Sequence, residues 1–231
     1  MRRTTFVFGF TCLIASLALA RGAWAQDRGA QPTGQRQQPP QQQMPPEQLV
    51  AQWPAECQKA FREMQQKYGA PSGVTETRLV WTDKAPFKEI ILLNEEFQHD
   101  FPKPHKDCLE HVVEFKVPVE KVGDLAKFDG SIIVDRTRGT LSARCDSEAH
   151  NIVALNLAHQ IISGKLDVEK ARQMYTEGAK QEMQGKMPEL AQKLMFQPIP
   201  NGGDTDVATL GGSADEARPA GARQNPEKRD R

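Results

Sequence analysis

The chain has 231 residues, and its 30 basic and 30 acidic side chains give a formal net charge of zero. This balance excludes the recruitment of a polyanionic partner by bulk charge, and no basic aromatic motif indicates nucleic-acid binding. The apolar fraction of 38 % is low for a globular protein, which predicts that part of the chain does not contribute to a folded core.

The N terminus predicts an export signal. Arg2 and Arg3 precede an apolar run from Phe6 to Ala20, and the Ala-Trp-Ala sequence ending at Ala25 has the small residues of a cleavage site. The run is shorter than the roughly 20 residues that a membrane-spanning helix needs. We therefore expect a cleavable signal peptide over residues 1–25, a periplasmic or secreted protein, and no transmembrane anchor after cleavage.

Segments of biased composition flank one predicted domain. Residues 26–50 contain nine Gln and five Pro, and neither they nor residues 201–231 contain an aromatic residue. Such segments cannot bury enough apolar surface to offset their ordering entropy, so both are predicted to be disordered. The eleven aromatic residues after the signal lie between Trp53 and Phe196. One globular domain over residues 51–200 is therefore predicted.

Hydrophobic periodicity and turn residues predict the elements of this domain. In chain order they are a helix over about 54–68, strands over about 77–82, 88–94 and 109–117, a helix over 119–128, strands over 131–137 and 140–145, and helices over about 147–163 and 168–184. Strands in the middle and helices at the ends indicate an α+β fold. We expect a mainly antiparallel sheet of about five strands with an N-terminal helix and two C-terminal helices.

Short segments carry two resemblances. Lys67-Tyr68-Gly69-Ala70-Pro71, followed by Arg78-Leu79-Val80-Trp81, resembles the helix–Gly-x-Pro–strand–Trp junction of small outer-membrane-assembly lipoproteins. The chain departs from that family because it lacks the lipid-attachment cysteine and continues for two more hairpin and helix units. More broadly, residues 68–175 resemble exported bacterial proteins of uncharacterised function, on the segments Phe128-Asp129-Gly130-Ser131 and Ser142-Ala143-Arg144-Cys145-Asp146. Neither resemblance implies an activity.

Three cysteines follow the predicted signal, at Cys57, Cys108 and Cys145. An exported protein meets an oxidising compartment, so a disulfide is plausible, and three cysteines leave one thiol over. Cys145 follows Arg144 and precedes a predicted helix N terminus, and both features lower a thiol pKa. It is the candidate free thiol, with a small, buried and inert cysteine as the alternative. Cys57 and Cys108 remain by elimination as the candidate disulfide.

A cluster of potential metal ligands lies within the thirteen residues from 99 to 111. Its candidate ligands are His99, His105, Asp107 and His111. Imidazole and carboxylate groups bind Zn²⁺ or Cu²⁺, although the spacing matches no established ligand pattern. We expect His99 and His105 in a proline-containing loop and His111 on the apolar face of a strand. A buried histidine bonded to the backbone is the alternative for His111. A divalent metal is therefore possible, and no other cofactor is expected.

Arginines near the second hairpin form a second candidate site. Arg136 and Arg144 are expected to be cross-strand neighbours, and planar guanidinium groups bind carboxylates and phosphates. Pairing with nearby acidic residues is the alternative. Trp81 is a further candidate ligand-binding residue.

Motifs of the common enzyme classes are missing from the sequence. It contains no Gly-x-Ser-x-Gly, no His-Glu-x-x-His, no phosphate-binding glycine loop and no dinucleotide-binding fingerprint. The predicted function is therefore that of an exported, non-enzymatic domain that binds an envelope protein or a small ligand. One alternative is a small-ligand or metal-binding protein that uses the segment from His99 to His111. Another is a hydrolase or redox enzyme that uses Cys145.

Overall fold

The computed structural model of the protein describes residues 44–210. The predicted signal, most of the predicted linker and the predicted tail from residue 211 lie outside the described residues. The helices are α1 Pro46–Val50, α2 Ala55–Tyr68, α3 Val119–Phe128, α4 Glu148–Ile162 and α5 Val168–Met183, with a 3₁₀ turn at Glu189–Ala191. The strands are β1 Gly73–Val74, β2 Arg78–Lys84, β3 Phe87–His99, β4 His105–Glu114, β5 Ile132–Asp135 and β6 Thr140–Cys145.

The six strands form one antiparallel sheet in the order β1-β2-β3-β4-β6-β5. The predicted α+β class is confirmed, with an N-terminal helix and C-terminal helices. The sheet has one strand more than the five located in the sequence, because the two residues of β1 pair with the edge of β2. A strand this short has no periodicity that a sequence pattern could reveal.

The core lies between the sheet and the helices α2 and α4. One cross-strand row of the sheet consists of buried residues, in the order Leu79, Leu92, Leu109 and Cys145. Helix α4 is apolar around most of its circumference, as a helix packed on several sides must be. Its buried Asn156 donates to the carbonyls of Leu190 and Lys193 and accepts from the amide of Met195, which fixes the segment after α5 onto α4.

The β3–β4 hairpin is longer than predicted. His99 ends β3 and His105 begins β4, where they are directly opposed cross-strand partners. The prediction that both histidines lie in a loop is therefore wrong. The physical reason is that the connection is only five residues long, from 100 to 104, so the ladder continues up to its base. A register shift between Leu92 and Phe97 interrupts β3 below this point.

The folded part extends slightly beyond both predicted domain boundaries. Val50, in the last turn of α1, is 2 % exposed and belongs to the core. At the other end, the guanidinium of Arg136 donates to the carboxylates of Asp204 and Asp206 at 2.8 and 2.6 Å. Gly139 has φ +65°, and a Cβ there would clash with the backbone around residue 203, so this turn needs glycine.

None of the helices within residues 44–210 combines the length and the apolar character of a membrane-spanning segment.

Candidate metal centre

Three sheet strands bring potential metal ligands to one end of the core. His99 comes from the end of β3, His105 and Asp107 from the start of β4, and Cys145 from the end of β6. Because side chains two residues apart in a strand share a face, His105 and Asp107 point to the same side. One ligand atom from each of His99, His105 and Asp107 lies within 4.8 Å of the other two.

The imidazole of His105 is held in a defined orientation. Its Nδ1 lies 2.7 Å from the carbonyl of Lys103, which places the ring N–H there as the donor. Its Nε2 then faces Asp107 Oδ1 at 3.0 Å and Cys145 Sγ at 3.1 Å. Metal-bound histidines have this arrangement, in which a backbone carbonyl fixes the tautomer and leaves the other nitrogen for the ion.

The carboxylate of Asp107 is the centre of the cluster and is 1 % exposed. Its Oδ2 accepts a hydrogen bond from the Ser131 hydroxyl, but its buried Oδ1 has no hydrogen bond from any residue in the range 44–210. Burial alone would raise the pKa of Asp107, but the contacts with His105, His99 and Ser131 hold that pKa well below its usual range. Asp107 is therefore a buried carboxylate whose Oδ1 faces the His105 imidazole at ion-pair distance, and a cation bound there would take the place of that contact.

A second polar atom at the site also lacks a hydrogen bond. The buried Nδ1 of His99 is 3.3 Å from Asp107 Oδ2 but makes no hydrogen bond within the described range. On the other side of the ring, His99 Nε2 lies 3.6 Å from Asp129 Oδ1. Asp129 Oδ1 accepts from the backbone amide of Ser131 at 2.8 Å, so Asp129 supports the ring from behind. Two unpaired buried atoms on adjacent side chains are typical of a site that a ligand completes.

Cys145 brings a sulfur atom to the edge of the cluster, 3.1 Å from His105 Nε2, and its Sγ also lies within 4.8 Å of ligand atoms of Asp146 and His150. Its side chain is buried, and burial together with the carboxylates of Asp146, Asp107 and Asp129 raises the pKa of its thiol well above the usual range. The prediction of a lowered pKa is therefore wrong. The guanidinium of Arg144 does not lower that pKa, because it stacks over the Phe97 ring at 4.3 Å. The neighbouring carboxylates that disfavour a thiolate attract a cation. A bound cation would in turn stabilise the thiolate form of Cys145.

Access to the sulfur is narrow. A partly enclosed cavity beside Cys145 and His105 is roofed by Tyr175 of α5 and flanked by Pro102. It has room for about one water molecule. The space holds one water or ion beside Cys145 and His105, His99 and Asp107 do not line it, and an organic substrate does not fit without a rearrangement of α5.

A neighbouring group of Cys145, Asp146 and His150 also has the composition of a metal site. Both nitrogens of His150 are already engaged, because Nδ1 lies 2.5 Å from Asp146 Oδ1 and Nε2 lies 2.7 Å from Glu182 Oε2. Burial alone would lower the pKa of His150, but these two carboxylates raise it. The group is therefore better described as an imidazole held between two carboxylates that joins α4 to α5.

The structure leaves His111 out of the cluster. Its ring is fully buried, with Nδ1 2.9 Å from the Asn151 amide and Nε2 3.6 Å from Glu148 Oε2. Burial lowers the pKa of His111, so the ring is neutral. Glu148 also bonds the Lys67 ammonium at 2.6 Å and the Tyr68 hydroxyl at 3.0 Å. These contacts fasten the end of α2 to the start of α4.

The contacts of His111 and Glu148 predict that the protein loses stability in acid. Below its ordinary pKa of 6.5, His111 takes up a proton in the unfolded chain but not in the buried site, so the free energy of unfolding falls as the pH decreases through 6.5. Burial would raise the pKa of Glu148, but His111 and Lys67 hold it at about 2, below the ordinary 4.5. The stabilisation from Glu148 is therefore complete above 4.5 and is lost between 4.5 and about 2. The neighbouring charges are Lys67 and Glu110.

Urea unfolding at several pH values measures both effects. Because the raised pKa values of His105 and His150 stabilise the fold as the pH falls through this window, the effect of His111 is read from the difference between the midpoints of the wild type and His111→Gln, which we expect to decrease between about pH 7.5 and 5.5. The urea midpoint of Glu148→Gln should decrease less below pH 4.5 than that of the wild type, because the substitution removes the titrating carboxylate. A difference between the wild-type and His111→Gln midpoints that stays constant between about pH 7.5 and 5.5 would contradict a neutral, buried His111.

The other candidate residues lie elsewhere. Arg136 pairs with Asp204 and Asp206, and the register places Asp135 opposite Thr140 and Ile132 opposite Ala143, so Arg136 and Arg144 lie at opposite ends of the hairpin. They are not cross-strand neighbours as predicted. Trp81 is completely buried, and its indole N–H donates to the carbonyl of Gly69. Cys57 and Cys108 are both buried and lie in the core cluster.

Two residues of the site were not among the predicted ligands. Asp129 and Ser131 lie directly after α3, which ends at Phe128, and they contact His99 and Asp107 respectively. Their segment carries part of the resemblance to exported proteins, as does the segment 142–146 that contains Cys145. No local pattern indicates that both segments meet the β3–β4 hairpin, because that contact depends on the position of β6 beside β4.

Comparison with known proteins gave no match: no family model, no curated protein and no solved structure is significantly similar to this chain.

Proposed function

We propose that the protein is an exported, non-enzymatic binding domain whose ligand is one divalent transition-metal ion, Zn²⁺. His99, His105 and Asp107 are the ligands, and the Sγ of Cys145 is the fourth donor. The observation that carries this proposal is the buried Asp107 Oδ1, which has no hydrogen bond within residues 44–210 and faces His105 Nε2 at 3.0 Å. The export signal predicted at residues 1–25 supports a periplasmic or secreted location.

The mixture of donors favours zinc. Two imidazoles, a carboxylate and a thiolate are ligands of Zn²⁺, whereas Mg²⁺ and Ca²⁺ prefer oxygen alone. In a tetrahedral site with zinc-like bond lengths, neighbouring donor atoms lie about 3.3–3.6 Å apart. For two of the six donor pairs, both at His105 Nε2, the observed separations are 3.0 and 3.1 Å, and each requires an opening of only about half an ångström.

The geometry supports binding rather than catalysis. Four protein donors fill a tetrahedral zinc ion and leave no position for a substrate, as in structural zinc sites. The adjacent cavity admits about one water molecule, which is too small for the substrate of a hydrolase. The raised pKa of the Cys145 thiol also opposes its use as a nucleophile in the metal-free protein.

Metal titration of the purified protein tests the proposal. The experiment uses the whole chain with Cys12→Ser, so that Cys57, Cys108 and Cys145 are the only thiols. We expect one Zn²⁺ per chain and, at about a hundredfold excess of Zn²⁺ over the dissociation constant, a thermal midpoint raised by about 5–10 °C. Unchanged thermal stability and no saturable binding would overturn the proposal.

Cobalt reports on the sulfur ligand. Co²⁺ bound by the Cys145 thiolate should show a sulfur-to-metal charge-transfer band in the near ultraviolet. Cys145→Ser should remove this band and weaken Zn²⁺ binding by at least about 100-fold, because altering even an outer partner of a ligand costs about 10–100-fold. Cys57→Ser, the matched change at another buried cysteine, should keep both. A band that survives Cys145→Ser would remove Cys145 from the ligand set while leaving His99, His105 and Asp107 in place.

A further inference from the structure

Cys57 and Cys108 lie together in the core, away from the ligands of the proposed metal site. Cys57 is in the first turn of α2, and Cys108 is in β4 opposite the register shift of β3 between Leu92 and Phe97. Both side chains have no exposed surface and belong to the same hydrophobic cluster, in which α2 packs directly on β4. The neighbouring Cys57 thiol is the largest cause of the raised pKa of Cys108.

We propose that Cys57 and Cys108 form a disulfide bond in the mature protein, and that this bond joins α2 to the centre of the sheet. The proposal is independent of metal binding. Cys57, Cys108 and Cys145 are all free thiols in the structure, so formation of this bond would leave Cys145 as the single free thiol among residues 44–210, which matches the need of the metal site for one sulfur. Two of the three cysteines therefore serve the fold, and the third is available for a ligand.

The oxidation requires an external disulfide, such as oxidised glutathione or a disulfide-bonded oxidoreductase. One cysteine thiolate attacks a sulfur of the oxidant, forms a mixed disulfide and releases a first reduced thiol. The second cysteine thiolate then attacks the protein sulfur of that intermediate, forms the Cys57–Cys108 bond and releases a second reduced thiol. Both protein thiols lose a proton, and the two electrons reduce the oxidant. Because both cysteines are inaccessible in the folded domain, the bond forms during folding rather than after it.

The position of the pair predicts a substantial effect on stability. The bond closes a loop of about 50 residues, which contains α2, β1, β2 and β3. A disulfide restricts the unfolded chain, and a loop of this length gives a raised thermal midpoint on the order of 10 °C. Both side chains lie in the same buried cluster where α2 packs on β4, so the bond joins elements that already pack together.

Refolding with and without an oxidant tests this bond. The whole chain with Cys12→Ser is reduced, unfolded and refolded either in a glutathione redox buffer or in excess reductant, without metal. Maleimide labelling in denaturant, followed by intact-mass measurement, counts the remaining thiols. We expect one labelled cysteine after oxidative refolding and three after reductive refolding, with a Cys57–Cys108 cross-linked peptide in the oxidised digest.

The double variant Cys57→Ala/Cys108→Ala is the control for this bond. It should fold and lose the difference in thermal midpoint between the two refolding conditions. Three labelled cysteines after oxidative refolding, or a cross-link that includes Cys145, would overturn the proposal. The Co²⁺ band should be the same in oxidised and reduced protein. Loss of that band with an intact Cys57–Cys108 bond would count against the metal site alone, so the two proposals fail separately.

Discussion

Asp107→Asn is expected to weaken Zn²⁺ binding by at least about 100-fold, because altering even an outer partner of a metal ligand costs about 10–100-fold. The substitution keeps the shape of the side chain and can still accept the hydrogen bond from Ser131. It removes the negative charge that faces His105 Nε2 and His99 Nδ1. Competition with a fluorescent zinc chelator measures the dissociation constant, and thermal unfolding with and without Zn²⁺ measures the stabilisation.

Asp100→Asn is the matched control for this variant. Asp100 lies in the turn between His99 and His105 and is exposed, where its Oδ1 accepts from Gln98 Nε2. The control removes the same charge from the same hairpin without touching a ligand. We expect its zinc affinity to stay within about twofold of the wild type, because an exposed charge is screened by solvent and salt. Equal losses in the two variants would mean that general electrostatic attraction, not coordination by Asp107, accounts for the binding.

The fold is predictable from the sequence where local patterns determine structure. Phe61, Met64 and Tyr68 indicate the helix over 54–68, and the observed α2 ends at Tyr68 before Gly69 with φ +78°. Asp167 indicates the start of α5, and its side chain caps the helix by accepting from the amide of Lys170. Each of these signals lies within one turn of the element that it defines, so no knowledge of the tertiary structure is needed to read it.

The site is only partly predictable, because it depends on contacts between distant segments. The sequence predicts His99, His105 and Asp107 as metal ligands from their residue types. It also predicts His111, because that residue lies in the same thirteen-residue segment. The cross-strand pairing of His99 with His105 brings the first three together, whereas His111 bonds to Asn151 of α4 instead. Cys145 joins the cluster because β6 pairs with β4, with Leu109 opposite Cys145. No local sequence pattern indicates that β6, rather than β5, pairs with β4.

Trp81→Ala is expected to lower the free energy of unfolding by about 4 kcal/mol, the largest loss of stability that we predict for a single substitution. The indole is completely buried and belongs to the largest side chains of the core. It packs against Phe61 of α2 with ring centroids 6.4 Å apart, and its Nε1 donates to the Gly69 carbonyl at 2.8 Å. Alanine leaves a cavity between β2 and α2 and removes the donor that holds the chain as it leaves α2.

Trp81→Phe separates these two contributions. It keeps an aromatic ring against Phe61 but cannot donate to Gly69, so we expect a loss of about 1–2 kcal/mol. Urea unfolding followed by far-ultraviolet circular dichroism measures both variants, since the substitution itself changes the tryptophan fluorescence. A loss below about 1 kcal/mol for Trp81→Ala would contradict the core position and would return Trp81 to the candidates for ligand binding. The expected order of stability is wild type, then Trp81→Phe, then Trp81→Ala, because Trp81→Phe loses the hydrogen bond and little volume, whereas Trp81→Ala loses both.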